Sequence, residues 1–228
     1  MKTVPALFLV LVAVASATKT HQKRSTTYSA TLNDYVDEVV ANVQAFVSES
    51  SLEPLSIPNV TESFSVKPLL ITYSGRLSLY DGEMTGLSSV KRYGDVNLGY
   101  DGETLSFDAN MGVDVATVAY TYYAKLLGSL KESGTAKVTA RKIDTTVGFS
   151  ANLKNYTFAL DTVAINSIGQ TTARLSGNVL TDWMANAVIN IVIAAVKSTA
   201  ITQVNSEINS VLTNVVDEAN TYVTTLLS

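Results

Sequence analysis

The sequence contains no cysteine and a single histidine, and these shortages exclude several classes of function. Without cysteine there can be no disulfides, zinc–thiolate sites, iron–sulfur clusters or cysteine nucleophiles. The histidine, His21, lies close to the N-terminus, so a Ser-His-Asp triad cannot be assembled in a folded body that follows it. No glycine-rich phosphate loop or dinucleotide motif follows a predicted strand. We therefore expect no catalytic residues, no metal ion and no cofactor.

Charge is also scarce. Charged residues make up 16% of the chain, whereas soluble domains typically have about 25%. The net charge is −4, so nothing indicates the basic surface of a nucleic-acid-binding protein. Hydrophobic residues make up 46% of the chain. This excess of apolar over charged residues predicts a large internal apolar surface.

The first 17 residues have the pattern of a secretory signal peptide. Lys2 precedes an apolar run over residues 4–14, and Ala15-Ser16-Ala17 is a small-residue cleavage site. We expect residues 18–27 to be a flexible leader and residues 28–228 to form a single domain. No later apolar run looks long enough to span a membrane. The sequence therefore predicts a secreted, extracellular protein.

Two asparagines lie in N-glycosylation triplets. Asn59 is followed by Val60-Thr61, and Asn155 is followed by Tyr156-Thr157. In a secreted protein such triplets are candidate acceptors for a glycan. We expect each asparagine to be a candidate site at the surface.

Two amphipathic helices bracket the chain. Residues 178–228 contain no proline and carry apolar residues at steps of three and four, which is typical of a helix with one apolar face. A second stripe of this kind covers residues 32–47. Lys197-Ser198 interrupts the longer stripe, and its pattern is compatible with one continuous helix or with two.

Between the helices, from residue 69 to about 175, the apolar period changes to two, which is typical of strands. Residues 103–126 form the longest alternating run, and its apolar phase changes from odd to even near Ala116. Such a slip indicates a β-bulge. A flat strand of this length would extend about 80 Å, so we expect it to bend.

The connections follow from turn residues. Asp101-Gly102 predicts a tight hairpin turn before the long strand. Further turns are expected at residues 131–134 and 154–155. Residues 50–68, which contain three prolines, are expected to form an extended connector. The four residues from Tyr80 to Glu83 repeat from Tyr100 to Glu103. The first copy is compatible with a turn or a bulge.

These elements predict an α+β fold. An elongated, strongly curved antiparallel sheet would wrap around the long C-terminal helix, with an additional N-terminal helix. The apolar interior between sheet and helix is the candidate ligand site, although the same spacing fits a dry core. Tyrosine hydroxyls, or Asn186 and Asn190, are candidate polar contacts. The candidate lining residues are Leu105, Phe107, Met111, Val113, Tyr120, Tyr122, Trp183, Met184, Val188, Ile191 and Val192.

Several short motifs resemble one known family. They are Gly75-Arg76-Leu77-Ser78-Leu79, Gly86-Leu87 and Lys91-Arg92-Tyr93-Gly94-Asp95, followed by Gly112-Val113-Asp114 and Tyr122-Tyr123-Ala124-Lys125-Leu126. In this order and spacing they are similar to the group 7 mite allergens. The resemblance covers residues 32–216. Lys91-Arg92 could contact an anionic head group, but a short charged loop is more often simply solvated.

The resemblance implies a tubular lipid-binding fold of the kind found in bactericidal permeability-increasing, juvenile-hormone-binding and takeout-like proteins. It implies a curved sheet around a long helix, an apolar cavity between them and a non-enzymatic role with lipid-like ligands. The hormone-binding branch has an N-terminal cysteine pair, which this chain lacks. That difference argues against juvenile hormone as the ligand.

The leading hypothesis from the sequence is therefore a secreted carrier of a lipid or another small hydrophobic molecule. One alternative is recognition of microbial or membrane lipid surfaces, against which the acidity of the chain argues. Another is a surface-active structural protein, because Asn, Ser and Thr dominate the polar face of the C-terminal helix. A hydrolase is the least supported alternative, since no catalytic residues were found.

Overall fold

The structure, a computed structural model, describes residues 29–49, 52–67, 70, 72–126, 130–177 and 182–227. The predicted signal peptide and leader lie outside these residues. The helices are α1 (Ser29–Glu49) and α2 (Asp182–Leu227), and a short 3-10 helix covers Leu87–Ser89. The strands are β1 (Leu55–Ile57), β2 (Val60–Val66), β3 (Tyr73–Thr85), β4 (Lys91–Arg92), β5 (Asn97–Tyr100), β6 (Thr104–Leu126), β7 (Leu130–Asn152), β8 (Thr157–Ile168) and β9 (Thr171–Leu175).

All nine strands form one antiparallel sheet, built on the long pair β6 and β7. Shorter strands follow one another along each side of this pair. β3, β4 and β5 pair with β6, whereas β8 and β9 pair with β7, and β1 and β2 extend the sheet beyond β3. β6 and β7 have 23 residues each, which corresponds to about 76 Å of flat strand. α2 has 46 residues, or about 69 Å, so helix and sheet match in length.

The fold class predicted from the sequence is confirmed: a long curved antiparallel sheet, a long C-terminal helix packed against it and an N-terminal helix. α2 is a single continuous helix through Lys197, which settles the question that the sequence left open. The predicted long strand is confirmed to within one residue at its start. α1 extends the predicted helix at residues 32–47 by a few residues at both ends.

The apolar interior is divided into two clusters. The larger cluster lies between α2 and the half of the sheet formed by β1, β3, the C-terminal half of β6 and the N-terminal half of β7. It includes Leu79, Tyr122 and Val188. The smaller cluster joins α1 to the other half of β6, with Val36 and Ala109 among its members. Each helix therefore covers a different half of the long strand.

The predicted change of phase in β6 is confirmed, but its cause differs from the one expected. Buried positions are odd up to Val113 and even from Ala116 onward. The register between β6 and β7 does not slip there: Val113 pairs with Ile143 and Val115 with Arg141. Both strands change face together, at a point where Lys142 has a positive φ of 54°.

The neighbouring strands also change over at this point, which explains how both long strands can turn. β9 pairs with β7 up to Ala140, and β8 pairs with it from Ile143. The loop between them donates the Gly169 N–H to the Lys142 carbonyl, at 3.1 Å. Because only this loop, and none of the described strands, borders β7 across the gap, the long pair can twist there.

Three predictions about connections had different outcomes. The turn at residues 154–155 is confirmed, since β7 ends at Asn152 and β8 begins at Thr157. The turn predicted at residues 131–134 is wrong, because these residues lie inside β7. The connector predicted at residues 50–68 is also wrong: it contains β1 and β2, and Pro54 and Pro58 lie just outside the ends of β1. Proline is compatible with strand ends and with edge positions.

Candidate functional site

Two tyrosines of β6 lie on the face that meets α2. Tyr120 is 1% exposed and Tyr122 is 0% exposed. Their rings lie over glycines of the neighbouring strands: a Cβ on Gly82 would come within 2.4 Å of the Tyr120 ring, and one on Gly134 within 3.1 Å of the Tyr122 ring. The two glycines therefore make room for two large rings at the centre of the sheet.

The two hydroxyl groups differ in their partners. The Tyr120 hydroxyl donates to the Pro58 carbonyl at 2.8 Å, and burial raises the pKa of Tyr120 to about 12. The Tyr122 hydroxyl is buried, and the described residues offer it no hydrogen-bond partner. Burial, followed by the nearby Glu132 carboxylate, raises the pKa of Tyr122. Tyr122 is thus a neutral donor in an apolar interior without an acceptor.

α2 supplies the opposite wall. Met184, Val188 and Val192 follow one another at steps of four and are buried in the larger cluster, with Ile191 packed against it. The polar contacts predicted on this helix are placed differently, because Asn186 and Asn190 are exposed. Asn205 instead has a buried side-chain oxygen, for which the described residues provide no donor.

The structure separates the predicted lining residues into two groups. Val113, Tyr120 and Tyr122 share the larger cluster with the residues of α2. Phe107 and Met111 pack against the smaller cluster, beside α1. Leu105 is 6% exposed and is likewise buried. Trp183 is the second residue of α2, and its side chain lies outside the described part of the structure.

Two clefts lie elsewhere on the molecule. The first, of about 360 Å³, runs between β8 and the C-terminal half of α2 and is lined by Phe158, Ala159, Leu160, Asp161, Thr162, Val163, Asn209, Thr213, Val216, Asp217 and Asn220. The second, of about 540 Å³, lies along the outer face of α2 between Asn214 and Thr225. Neither is lined by the predicted residues, because periodicity identifies inward-facing positions but not open edges.

The Lys91–Asp95 motif attaches α1 to the sheet. Arg92 donates from Nε and Nη2 to the two carboxylate oxygens of Asp37, at 2.9 and 2.8 Å. This hydrogen bond holds the pKa of Asp37 below its usual value. Asn33 of α1 donates to Asp95 at 2.8 Å and accepts the Val96 N–H at 2.9 Å. The motif therefore positions α1.

The remaining charge of this motif is also paired. Lys91 lies 2.6 Å from the Asp114 carboxylate, and its ammonium group lies 5.5 Å from the centroid of the Tyr93 ring. The Tyr93 hydroxyl donates to Asp114 at 2.7 Å. Burial and this carboxylate raise the pKa of Tyr93 to about 12. Both cations of the motif are thus paired with carboxylates of this chain, Arg92 with Asp37 and Lys91 with Asp114.

By length and composition alone, α2 is long and apolar enough to cross a membrane. This differs from the expectation that no apolar run after the signal peptide could do so. Between Met184 and Leu227 it contains an 18-residue window with a mean hydropathy of 1.6. The apolar residues are interrupted mainly by Asn, Ser and Thr, which lower hydropathy less than charges do. A core helix meets the same criterion, and α2 packs along the sheet.

In the described ranges, no group of three His, Cys, Asp or Glu side chains is close enough to hold a metal ion.

Comparison with known proteins gives the family. A model of the Group 7 allergen family matches residues 31–216. The chain belongs to this family. The family motifs thus coincide with the attachment of α1 and with the tyrosine-bearing end of β6. A search of curated proteins found no match.

Two solved structures that are similar to this Group 7 allergen family member are distant from it in sequence. The crystal structure of lipopolysaccharide binding protein is 16% identical, with a TM-score of 0.53; the match covers 86% of this chain and 41% of that chain. This chain therefore spans less than half of that protein. Takeout 1 from Epiphyas postvittana is 14% identical, with a TM-score of 0.42, over 84% of this chain and 88% of that one.

Proposed function

We propose that this protein is a secreted, non-enzymatic binder of a lipid or another small hydrophobic molecule, held between α2 and the sheet. The observation that carries this proposal is an unpartnered polar atom in an apolar interior, the Tyr122 hydroxyl, for which the described residues offer no acceptor. A buried polar group without a partner costs about 1–3 kcal/mol. A ligand with an apolar body and a small polar group would supply the missing partner.

Other features support the proposal. Residues 1–17 have the pattern of a signal peptide, which favours secretion. The lipopolysaccharide binding protein, whose fold this chain shares, is named for a lipid-containing ligand. The proposed site includes Tyr122, Met184, Val188 and Val192, which line one cluster. No histidine or cysteine is available within the described body to assist in bond cleavage.

The first experiment asks whether the protein carries a ligand. Protein purified from the cells that naturally secrete it is examined by native mass spectrometry. The same protein, after its bound lipid has been extracted, is then tested for uptake of a fluorescent fatty acid. We expect a bound hydrophobic molecule in the first measurement and saturable uptake in the second. If only ligand-free protein is found and the probe is not taken up, the proposal is wrong.

A matched pair of variants separates a cavity from a dry core. Val192→Phe adds volume on the inner face of α2, where Val192 is 0% exposed, and Asn190→Phe adds it on the exposed face. If the interior holds a ligand, V192F fills that space and abolishes uptake with little loss of stability, whereas N190F leaves uptake unchanged. Overpacking a dry core costs about 1–3 kcal/mol, and a loss of this size would contradict the proposal.

A second candidate function, contact with a lipid surface, is favoured by one observation. The C-terminal end of α2 exposes large apolar side chains: Tyr222, Leu226 and Leu227 are 52%, 65% and 63% exposed. Co-sedimentation with zwitterionic and anionic phosphatidyl lipid vesicles tests this candidate. Binding that is lost when both leucines are replaced by serine supports surface contact, and absence of binding to either vesicle removes it.

A further inference from the structure

The sheet is open along β8, and a side chain of α2 already pairs with that edge as a strand would. Asn220 accepts the Phe158 N–H at 2.7 Å and donates to the Phe158 carbonyl at 2.9 Å. Its amide therefore satisfies both backbone groups of one edge residue, in the way that the N–H and the carbonyl of one residue in an added strand do. The edge of β8 is thus able to accept an amide partner at this position.

The next outward-facing residue, Leu160, has no such partner. Phe158 pairs with Ala151 and Leu160 with Phe149 across the ladder between β7 and β8. The backbone groups of Phe158 point away from β7, and strand residues alternate. The register shifts in this ladder come only after the pair of Leu160 with Phe149, so the backbone groups of Leu160 point the same way. Among the described residues, β8 pairs with β7 and with no strand on its other side. The Leu160 N–H and carbonyl therefore face the cleft.

The cleft beside Leu160 is polar and has room for a short stretch of extended chain. Its volume is about 360 Å³, and the helix side presents a row of polar residues, Asn209, Thr213 and Asn220, along one face of α2. Two carboxylates, Asp161 and Asp217, also line it, and no lysine or arginine does. Asp161 accepts the Ser150 hydroxyl at 3.0 Å, which fixes its position beside the strand.

We propose that this cleft binds an extended polypeptide segment carrying lysine or arginine, which adds to β8 as a further strand. The segment bonds to the Leu160 N–H and carbonyl, and its basic side chains lie near Asp161 and Asp217. Where it extends past Leu160, it displaces the Asn220 amide from Phe158. Strand addition of this kind combines backbone hydrogen bonds with side-chain selection. The site is separate from the apolar interior and does not depend on what that interior holds.

The test uses a defined probe, a hexapeptide of alternating valine and threonine with a lysine at each end and blocked termini. Amide hydrogen exchange of the full-length protein is followed by NMR. We expect the peptide to slow exchange at Leu160 by about tenfold or more, because the amide becomes hydrogen-bonded. The matched control peptide carries N-methyl groups on all of its backbone nitrogens, which removes the donors from both edges of the strand, and we expect it to have no effect.

Variants of the protein provide the second arm. Leu160→Pro removes the outward N–H without removing a ladder bond, which edge positions tolerate, and Leu160→Val retains it. We expect L160P to lose the peptide and L160V to keep it, whereas Asp217→Asn weakens binding and reduces its salt dependence. If L160P does not fold, the N-methylated peptide still decides. Equal binding of both peptides, no protection of Leu160, or protection by a fatty acid in place of the peptide would overturn the proposal.

Discussion

Replacing Tyr122 by phenylalanine should stabilise the ligand-free protein and weaken ligand binding at the same time. The Tyr122 hydroxyl is buried with no partner in the described structure, so its removal relieves a desolvation cost of about 1–3 kcal/mol. For a domain of this size, each kcal/mol corresponds to a shift in Tm of roughly 2–4 °C. We therefore expect Y122F, stripped of ligand, to unfold at a higher temperature than the unmodified protein.

Tyr120→Phe is the matched control. It lies two residues away on the same face and is equally buried, but its hydroxyl donates to Pro58. Removing that hydrogen bond should cost about 0.5–1.5 kcal/mol, so Y120F should unfold at a lower temperature. The two substitutions remove the same atom, and their opposite signs isolate the effect of the missing partner.

The binding measurement uses the same two variants with a fluorescent long-chain fatty acid. If the Tyr122 hydroxyl bonds to the polar group of the ligand, its loss should raise Kd by about fivefold, since one hydrogen bond contributes about 1 kcal/mol. Y120F should change Kd little. Should Y122F be destabilised as much as Y120F, the hydroxyl has a partner in the free protein and the reasoning fails. A stabilised Y122F with unchanged Kd would remove Tyr122 from the ligand site.

The remaining predictions concern the attachment of α1 and the surface. A double-mutant cycle of Asp37→Asn and Arg92→Gln, followed by urea unfolding, should give a coupling of about 1 kcal/mol, because the pair is bidentate but Asp37 is half exposed. The pKa of Asp37 is lowered in the folded protein. The stabilisation is therefore present above the pKa that Asp37 has in the unfolded chain, and it is lost as the pH falls through the pKa of the folded state. A coupling that is zero at neutral pH, or unchanged in acid, would contradict this. Asn59 and Asn155 are exposed, so protein secreted from eukaryotic cells should lose mass on treatment with an N-glycosidase, and each Asn→Gln variant should lose one glycan; an unchanged mass would show that neither is used.

Much of the fold follows from periodicity. The spacing of apolar residues along β6 and α2 predicts both elements nearly to their ends, because each buries one continuous face over many turns or residue pairs. The same spacing does not distinguish lining from packing. Phe107 and Tyr122 lie on the same strand and both face inward, yet they join different clusters because α1 covers one half of β6 and α2 covers the other.

The open edge at Leu160 and the inward position of Asn205 have no distinct signal in the sequence. Leu160 alternates like any strand residue, and Asn205 is one of many amides on α2. Whether a backbone group on a strand is paired depends on which strand lies beside it, and strands that are distant in sequence decide that. Likewise, the sequence placed polar contacts at Asn186 and Asn190, whereas helix packing turns both outward.

The repeated tetrapeptide shows what local sequence determines and what tertiary structure determines. From Tyr100 to Glu103 it forms a hairpin turn, in which the Asp101 carboxylate accepts the N–H groups of Glu103 and Thr104. From Tyr80 to Glu83 it forms a bulge inside β3, with Asp81 at a φ of 54° and the register shifted against β6. Local sequence determined that the chain bends at both places. Only the tertiary structure decided how, because Gly82 must pass beneath the Tyr120 ring, whereas a Cβ on Gly102 would meet nothing within 4 Å.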